Sequence, residues 1–143
     1  YIGYNFTATL RTLHIAPSDA KIERLKKRLE AAFLDYRRAA PTRQRQAFRE
    51  IVARVKFLTG NTRLKNSKSS SATGIYYNSP LVNDLRKYEA LDTVLKKEIL
   101  AIKRPALRKS LLKYRFKCGF VERRFHNFSA GELRTIVKAW RHV

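Results

Sequence analysis

The sequence predicts a mainly α-helical chain, a bundle of about five or six helices entered by a short N-terminal β-strand or hairpin. Three observations carry this expectation. Apolar residues recur at helical spacing through most of residues 18–140. β-Forming residues crowd only the first thirteen positions: Tyr1, Ile2, Tyr4, Phe6, Thr7, Thr9 and Leu10. Helix-start chemistry recurs at Pro17-Ser18-Asp19, Pro41-Thr42, Ser79-Pro80 and Ser129.

Tyr4, Phe6 and Ala8 alternate with polar neighbours, as in a half-buried strand. An isolated strand is marginal, and no later stretch offers a convincing sheet, so a partner sheet is expected ahead of residue 1. Ser18 then reads as an N-cap, with Asp19 well placed for the helix dipole. Ile22, Leu25, Leu29, Ala32, Phe33 and Tyr36 form one apolar stripe through about residue 39. At about 100° per residue, Lys21, Arg24 and Arg28 line one edge of that stripe, with Lys27 and Arg38 opposite.

Thr42 is expected to cap a second helix carrying Phe48, Ile51, Val52, Val55 and Leu58. Gly60-Asn61 is expected to stop it through a left-handed cap. The tract Lys65-Asn66-Ser67-Lys68-Ser69-Ser70-Ser71 has nothing apolar to bury and reads as a basic loop. Gly74-Ile75-Tyr76-Tyr77 reads as a short extended return, in which neighbouring side chains point to opposite faces and one tyrosine stays exposed. Ser79-Pro80 is expected to start a helix through Leu81, Leu85, Tyr88, Leu91, Leu95, Ile99 and Ile102, unbroken or broken near Glu89. Arg104-Pro105 ends that run, and Leu107, Leu111, Leu112 and Tyr114 mark a shorter helix. The last helix carries a capping box, Ser129 with Glu132, and a hydrophobic staple, Phe128 with Leu133. Leu133, Ile136, Val137 and Trp140 are expected to face inward, with Arg134, Lys138 and Arg141 outside.

The charge balance is the strongest compositional signal: 32 Lys+Arg against 11 Asp+Glu, net +21 over 143 residues. With 44% hydrophobic residues the chain can still bury a core, so it is not a solvated tail. A field of this size favours a polyanion, nucleic acid ahead of an anionic membrane. No apolar run reaches the roughly 18 residues of a membrane span. A single cysteine, Cys118, fits a reducing cytosol and excludes an internal disulfide framework.

Catalytic patterns are missing. No two acids are adjacent in sequence, whereas two-metal phosphoryl transfer needs clustered carboxylates. His14, His126, His142 and Cys118 do not make a zinc pattern. Gly60 and Gly74 stand alone, without a phosphate-cradling loop. No metal site, no catalytic residue and no bound cofactor is expected in these residues. The aromatics beside cations, Tyr36, Tyr76, Tyr77, Phe116 and Phe125, are candidates for stacking on bases, although most keep the spacing of core residues.

The ordered series of short motifs resembles a known family. Tyr1-Ile2-Gly3-Tyr4-Asn5-Phe6 resembles the Leu-Gly-Tyr-x-Phe strand that follows the catalytic palm motifs of bacterial reverse transcriptases, in the region called the primer grip. Phe57-Leu58-Thr59-Gly60-Asn61-Thr62-Arg63-Leu64, Gly74-Ile75-Tyr76-Tyr77-Asn78-Ser79, Leu91-Asp92, Cys118-Gly119-Phe120 and Arg124-Phe125-His126 are similar to the thumb and C-terminal region of defence-associated, retron-like reverse transcriptases of the antiviral class-3 type.

That resemblance implies fingers and a palm ahead of residue 1, holding the Tyr-x-Asp-Asp carboxylates and Mg2+. It implies that the N-terminal strand belongs to the palm sheet. Residues 1–16 would end the palm, 17–78 would form thumb helices with a basic loop, and 79–143 a C-terminal helical extension. The task implied is to grip an RNA template–DNA primer duplex for an RNA-directed DNA polymerase of antiphage defence in the cytoplasm. Ile2, Gly3 and Tyr4 would sit near the primer 3′ end. Lys21, Arg24, Arg28, Arg54, Lys56, Arg63, Lys65 and Lys68 would hold phosphates, with Tyr76 and Tyr77 beside them. The partners implied are nucleic acid, a noncoding RNA included, the fingers and palm of the same polymerase, and a second polymerase subunit or homo-oligomer, with no membrane. The alternative is a stand-alone basic helical RNA-binding or scaffolding module without catalysis.

Overall fold

A computed structural model describes residues 3–64, 71–141 and 143. Its described residues form a mainly helical bundle entered by a short antiparallel hairpin. The strands β1 (Tyr4–Ala8) and β2 (Leu13–Pro17) pair from Tyr4↔Pro17 to Ala8↔Leu13. Six α-helices follow: α1 (Asp19–Arg38), α2 (Gln44–Thr59), α3 (Arg86–Leu100), α4 (Pro105–Leu111), α5 (Phe116–Val121) and α6 (Ala130–Ala139). A second small hairpin, β3 (Asn61–Arg63) with β4 (Ala72–Gly74), lies between α2 and α3. No helix among the described residues is long and apolar enough to cross a membrane.

One core joins the helices. Leu29 and Phe33 of α1 meet Ile51 and Val55 of α2, and Tyr88, Leu91, Leu95 and Ile99 of α3. Leu107, Leu111, Phe116, Phe120, Ile136 and Trp140 complete it. The stretches 17–78 and 79–143 both contribute. The N-terminal hairpin is drier on paper than in space: Phe6 is 45% exposed and Leu13 49%, so the alternation in β1 does not mark a half-buried strand within these residues. The hairpin is tied down along β2 instead. Asn83 accepts from Ile15 N–H at 2.7 Å and donates to Leu13 O at 2.9 Å, while its own N–H and that of Asp84 donate to Ile15 O.

Local chemistry sets some ends and long-range contacts set others. Ser18 Oγ accepts from Lys21 N–H, as an N-cap should. Ser129 and Glu132 form the full capping box at the start of α6. Thr42 caps nothing, because a 3-10 turn at Pro41–Arg43 leads directly into α2 without a side-chain cap. Ser79-Pro80 starts no helix either. Residues 80–85 are spent on the tie to β2, so α3 begins only at Arg86, and Leu81 remains 57% exposed. Val137, expected inward, is likewise exposed.

Gly60 is the C-cap of α2, its N–H donating to Lys56 O at 3.0 Å. Its backbone is extended, φ −124°, not left-handed. A Cβ there would lie 2.4 Å from the His126 ring, so a side chain at this position would push that ring aside.

Candidate nucleic-acid interface

The acids of this chain are largely committed to intramolecular work. Seven ion pairs occur among the described residues: Arg37–Glu98, Arg43–Glu50, Arg54–Asp35, Arg86–Asp84, Lys87–Asp19, Lys117–Glu89 and Arg124–Glu122. Arg86 holds the Asp84 carboxyl down to about 2, chiefly through its side-chain hydrogen bond. Asp92 Oδ1 accepts from Phe116 N–H at 2.6 Å and Oδ2 from Lys117 N–H at 3.1 Å, capping the short α5 from another helix. Burial nevertheless pushes the Asp92 carboxyl up, against those two donors.

The α1 edge is different. Lys21, Arg24 and Arg28 enter none of these ion pairs. Lys21 Nζ donates to Asn78 O at 2.9 Å and to Ser79 Oγ, which holds the 75–78 turn against α1. Burial, followed by the Arg24 charge, holds the Lys21 ammonium below its usual value, and the same two causes act on Arg28. Like charges therefore face one another along this edge, and no ion pair among the described residues neutralises them. Gly3, with φ +88°, and Tyr4 approach the same place: Lys21 Nζ lies 5.9 Å from the centre of the Tyr4 ring. The structure thus brings together Gly3, Tyr4, Lys21, Arg24 and Arg28.

Arg54 requires correction. Its side chain is only 4% exposed, its Nη1 donates to Asp35 Oδ2 at 2.7 Å, and its Cζ lies 4.9 Å from the centre of the Trp140 ring. A guanidinium so enclosed does not present itself to a phosphate at the surface. Arg28 lies over the same indole at 5.8 Å, and the indole N–H donates to Arg28 O at 2.9 Å. Arg28 therefore combines a structural contact with its place on the basic edge.

The remaining candidates lie elsewhere. Lys56 faces a cleft of about 800 Å³ between α2, α4 and α6, with Arg49 and Lys113. Burial first, then the Lys56 and Arg124 charges, keep the His126 imidazole below its ordinary value. Arg63 is exposed, and its Cζ lies 5.1 Å from the Phe125 ring centre. Tyr76 and Tyr77 sit in a turn rather than an extended run, their rings edge to face at 5.0 Å, with Tyr77 the exposed member. Ile2, Lys65 and Lys68 lie outside the described residues.

Sequence reasoning missed Arg49, Lys113 and Arg123. Arg123 Cζ lies 4.2 Å from the Tyr76 ring centre, reached from a left-handed backbone at φ 50°. An arginine carries no sequence signal for that conformation. Among the described residues no group of three or more His, Cys, Asp or Glu side chains is placed to hold a metal, and Cys118 is a free, half-buried thiol. Comparison with family models, curated proteins and solved structures gives no match to this chain.

Proposed function

We propose that this chain grips a nucleic-acid duplex along the α1 edge, as the thumb and C-terminal part of an RNA-directed DNA polymerase of the antiphage, retron-like kind. The observation that carries the reading is the cluster of Lys21, Arg24 and Arg28, outside every described ion pair and next to Gly3 and Tyr4. Neighbouring cations of one sign repel each other, and a phosphate strand relieves that repulsion while releasing its counterions. Such contacts carry no sequence preference, which suits a polymerase whose template supplies the sequence by base pairing. The catalytic carboxylates and their Mg2+ belong, on this reading, to fingers and palm outside these residues. The β1–β2 hairpin, with Phe6 and Leu13 exposed, offers the palm sheet a surface to meet.

Duplex binding measured against salt tests the grip. Replacing Arg24 by Gln should reduce the log–log slope by about 1, with the fold unchanged because the side chain is exposed. An unaltered slope would mean that the α1 edge is simply solvated. The polymerase assignment has its own check: an Asp-Asp motif in the reading frame ahead of residue 1. A start codon directly ahead of residue 1 would leave the stand-alone RNA-binding module in its place.

A further inference from the structure

Beside the β3–β4 hairpin, three aromatic rings form a line closed at each end by a guanidinium. Arg123 lies 4.2 Å from the centre of the Tyr76 ring. Tyr76 meets Tyr77 edge to face at 5.0 Å, and Tyr77 lies 5.3 Å from Phe125. Arg63 closes the other end, 5.1 Å from the Phe125 ring centre. The inner ring is anchored, since Tyr76 packs on Phe120 at 5.3 Å. The other two are partly open to solvent: Tyr77 is 36% exposed and Phe125 41%.

The backbone beneath these rings is fixed by one buried side chain. Asn61 Oδ1 accepts from Tyr76 N–H at 2.9 Å, and Asn61 Nδ2 donates to Arg124 O at 3.0 Å. Asn61 N–H also donates to Arg124 O, and Asn61 O accepts from His126 N–H, both at 2.8 Å. Phe125 and the 75–78 turn are thereby held on the same residue, so the two half-open rings are in place before a ligand arrives. Two neighbouring cations rule out an attractive site for another cation and favour an aromatic ligand bearing negative charge.

We propose that Tyr77 and Phe125 form a stacking platform for an unpaired nucleobase of a single strand, with Arg63 and Arg123 meeting the flanking phosphates. Every base has a π-face, so the platform is indifferent to sequence. A duplex hides those faces between its own base pairs, so the platform selects unpaired over paired strand. The inference rests on the nucleic-acid reading above and adds a second class of ligand, on the turn that Lys21 ties to α1.

The test is binding of the 143-residue chain to a short oligodeoxythymidylate carrying one 2-aminopurine, read by anisotropy and by quenching of the base, with a blunt duplex in parallel. Y77L/F125L keeps apolar bulk and removes both π-faces; a thermal melt by circular dichroism confirms that it folds as the parent does. Its affinity for the single strand should fall about five- to a hundred-fold, the quenching should vanish and duplex affinity should hold. Y77W/F125W should bind as tightly as the parent. A leucine pair that binds and quenches like the parent overturns the platform alone, provided the parent grips duplex in a salt-dependent way. A leucine pair that loses duplex and single strand equally overturns it as well. A parent that binds neither strand class defeats the duplex grip and the platform together.

Discussion

Two polar regions of this molecule are built in opposite ways. Around Thr59, Asn61 and Gly119 the polar groups are consumed by the fold, and nearby on α2 Arg54 is enclosed against Asp35 and Trp140. Thr59 Oγ1 donates to Val55 O at 2.8 Å, and Asn61 spends its amide on Tyr76, Gly119 and Arg124. Along the α1 edge, Lys21, Arg24 and Arg28 sit among one another without an acid in any described ion pair. Most buried polar groups find partners within the chain. Half-exposed charges of one sign leave interaction energy for a ligand to collect. A count of cations therefore overstates an interface, and the cations outside internal ion pairs are the informative ones.

That contrast can be broken most severely at Gly119. A Cβ there would fall 1.6 Å from Thr59 O, a backbone atom at the end of α2, so neither side can yield cheaply. Gly119→Ala should cost more than about 4 kcal/mol and abolish a cooperative urea transition; a transition close to the parent's would show that the α2–α5 seam is looser than it stands. Asn61→Asp comes next. It removes donations to two carbonyls and sets a carboxylate against them in a 2% exposed position, at a cost on the order of 3 kcal/mol.

Arg54 sharpens the comparison. Its Nε and Nη2 are buried without a partner, so Arg54→Met should leave stability within about 1 kcal/mol of the parent or raise it, while Arg54→Ala should lose about 2–4 kcal/mol by opening a cavity. A duplex-binding slope that falls in Arg54→Met would place this guanidinium back at the interface.

The smallest effect is set by pH. Burial, then Lys56 and Arg124, hold His126 below the ordinary imidazole value. As pH falls past about 6.5 the unfolded chain takes up the proton before the folded one does, so stability drops with acidification. His126→Phe keeps a ring beside Gly60 and should flatten the melting temperature between neutral and mildly acid pH. An unchanged slope would assign the acid sensitivity to another group.

The legible parts of this fold share one property: their causes lie within a turn of the chain. Ser18 and Ser129 each cap their helix through a residue three positions on, and the apolar stripe of α1 carries its own period. Where a partner lies far along the chain, local rules misread the residue. Asn83 holds residues 80–85 against β2 through atoms 68 and 70 positions away, which moves the start of α3 beyond the Ser79-Pro80 signal. Gly60 caps α2 from an extended backbone, not from the left-handed one that local rules expect. The six residues of α5 show no local cap, because Asp92 supplies it from α3.

The helical class, the N-terminal hairpin region and the excess of positive charge follow from composition and periodicity, which are properties of the chain alone. Only the tertiary structure decided which cations remain available. It folded Arg54 under Trp140 and left Arg24 on a like-charged edge. It also set Tyr77 and Phe125, far apart in sequence, into one half-open pair. Charge is inherited from residue type, whereas desolvation and pairing depend on neighbours that only the folded chain supplies.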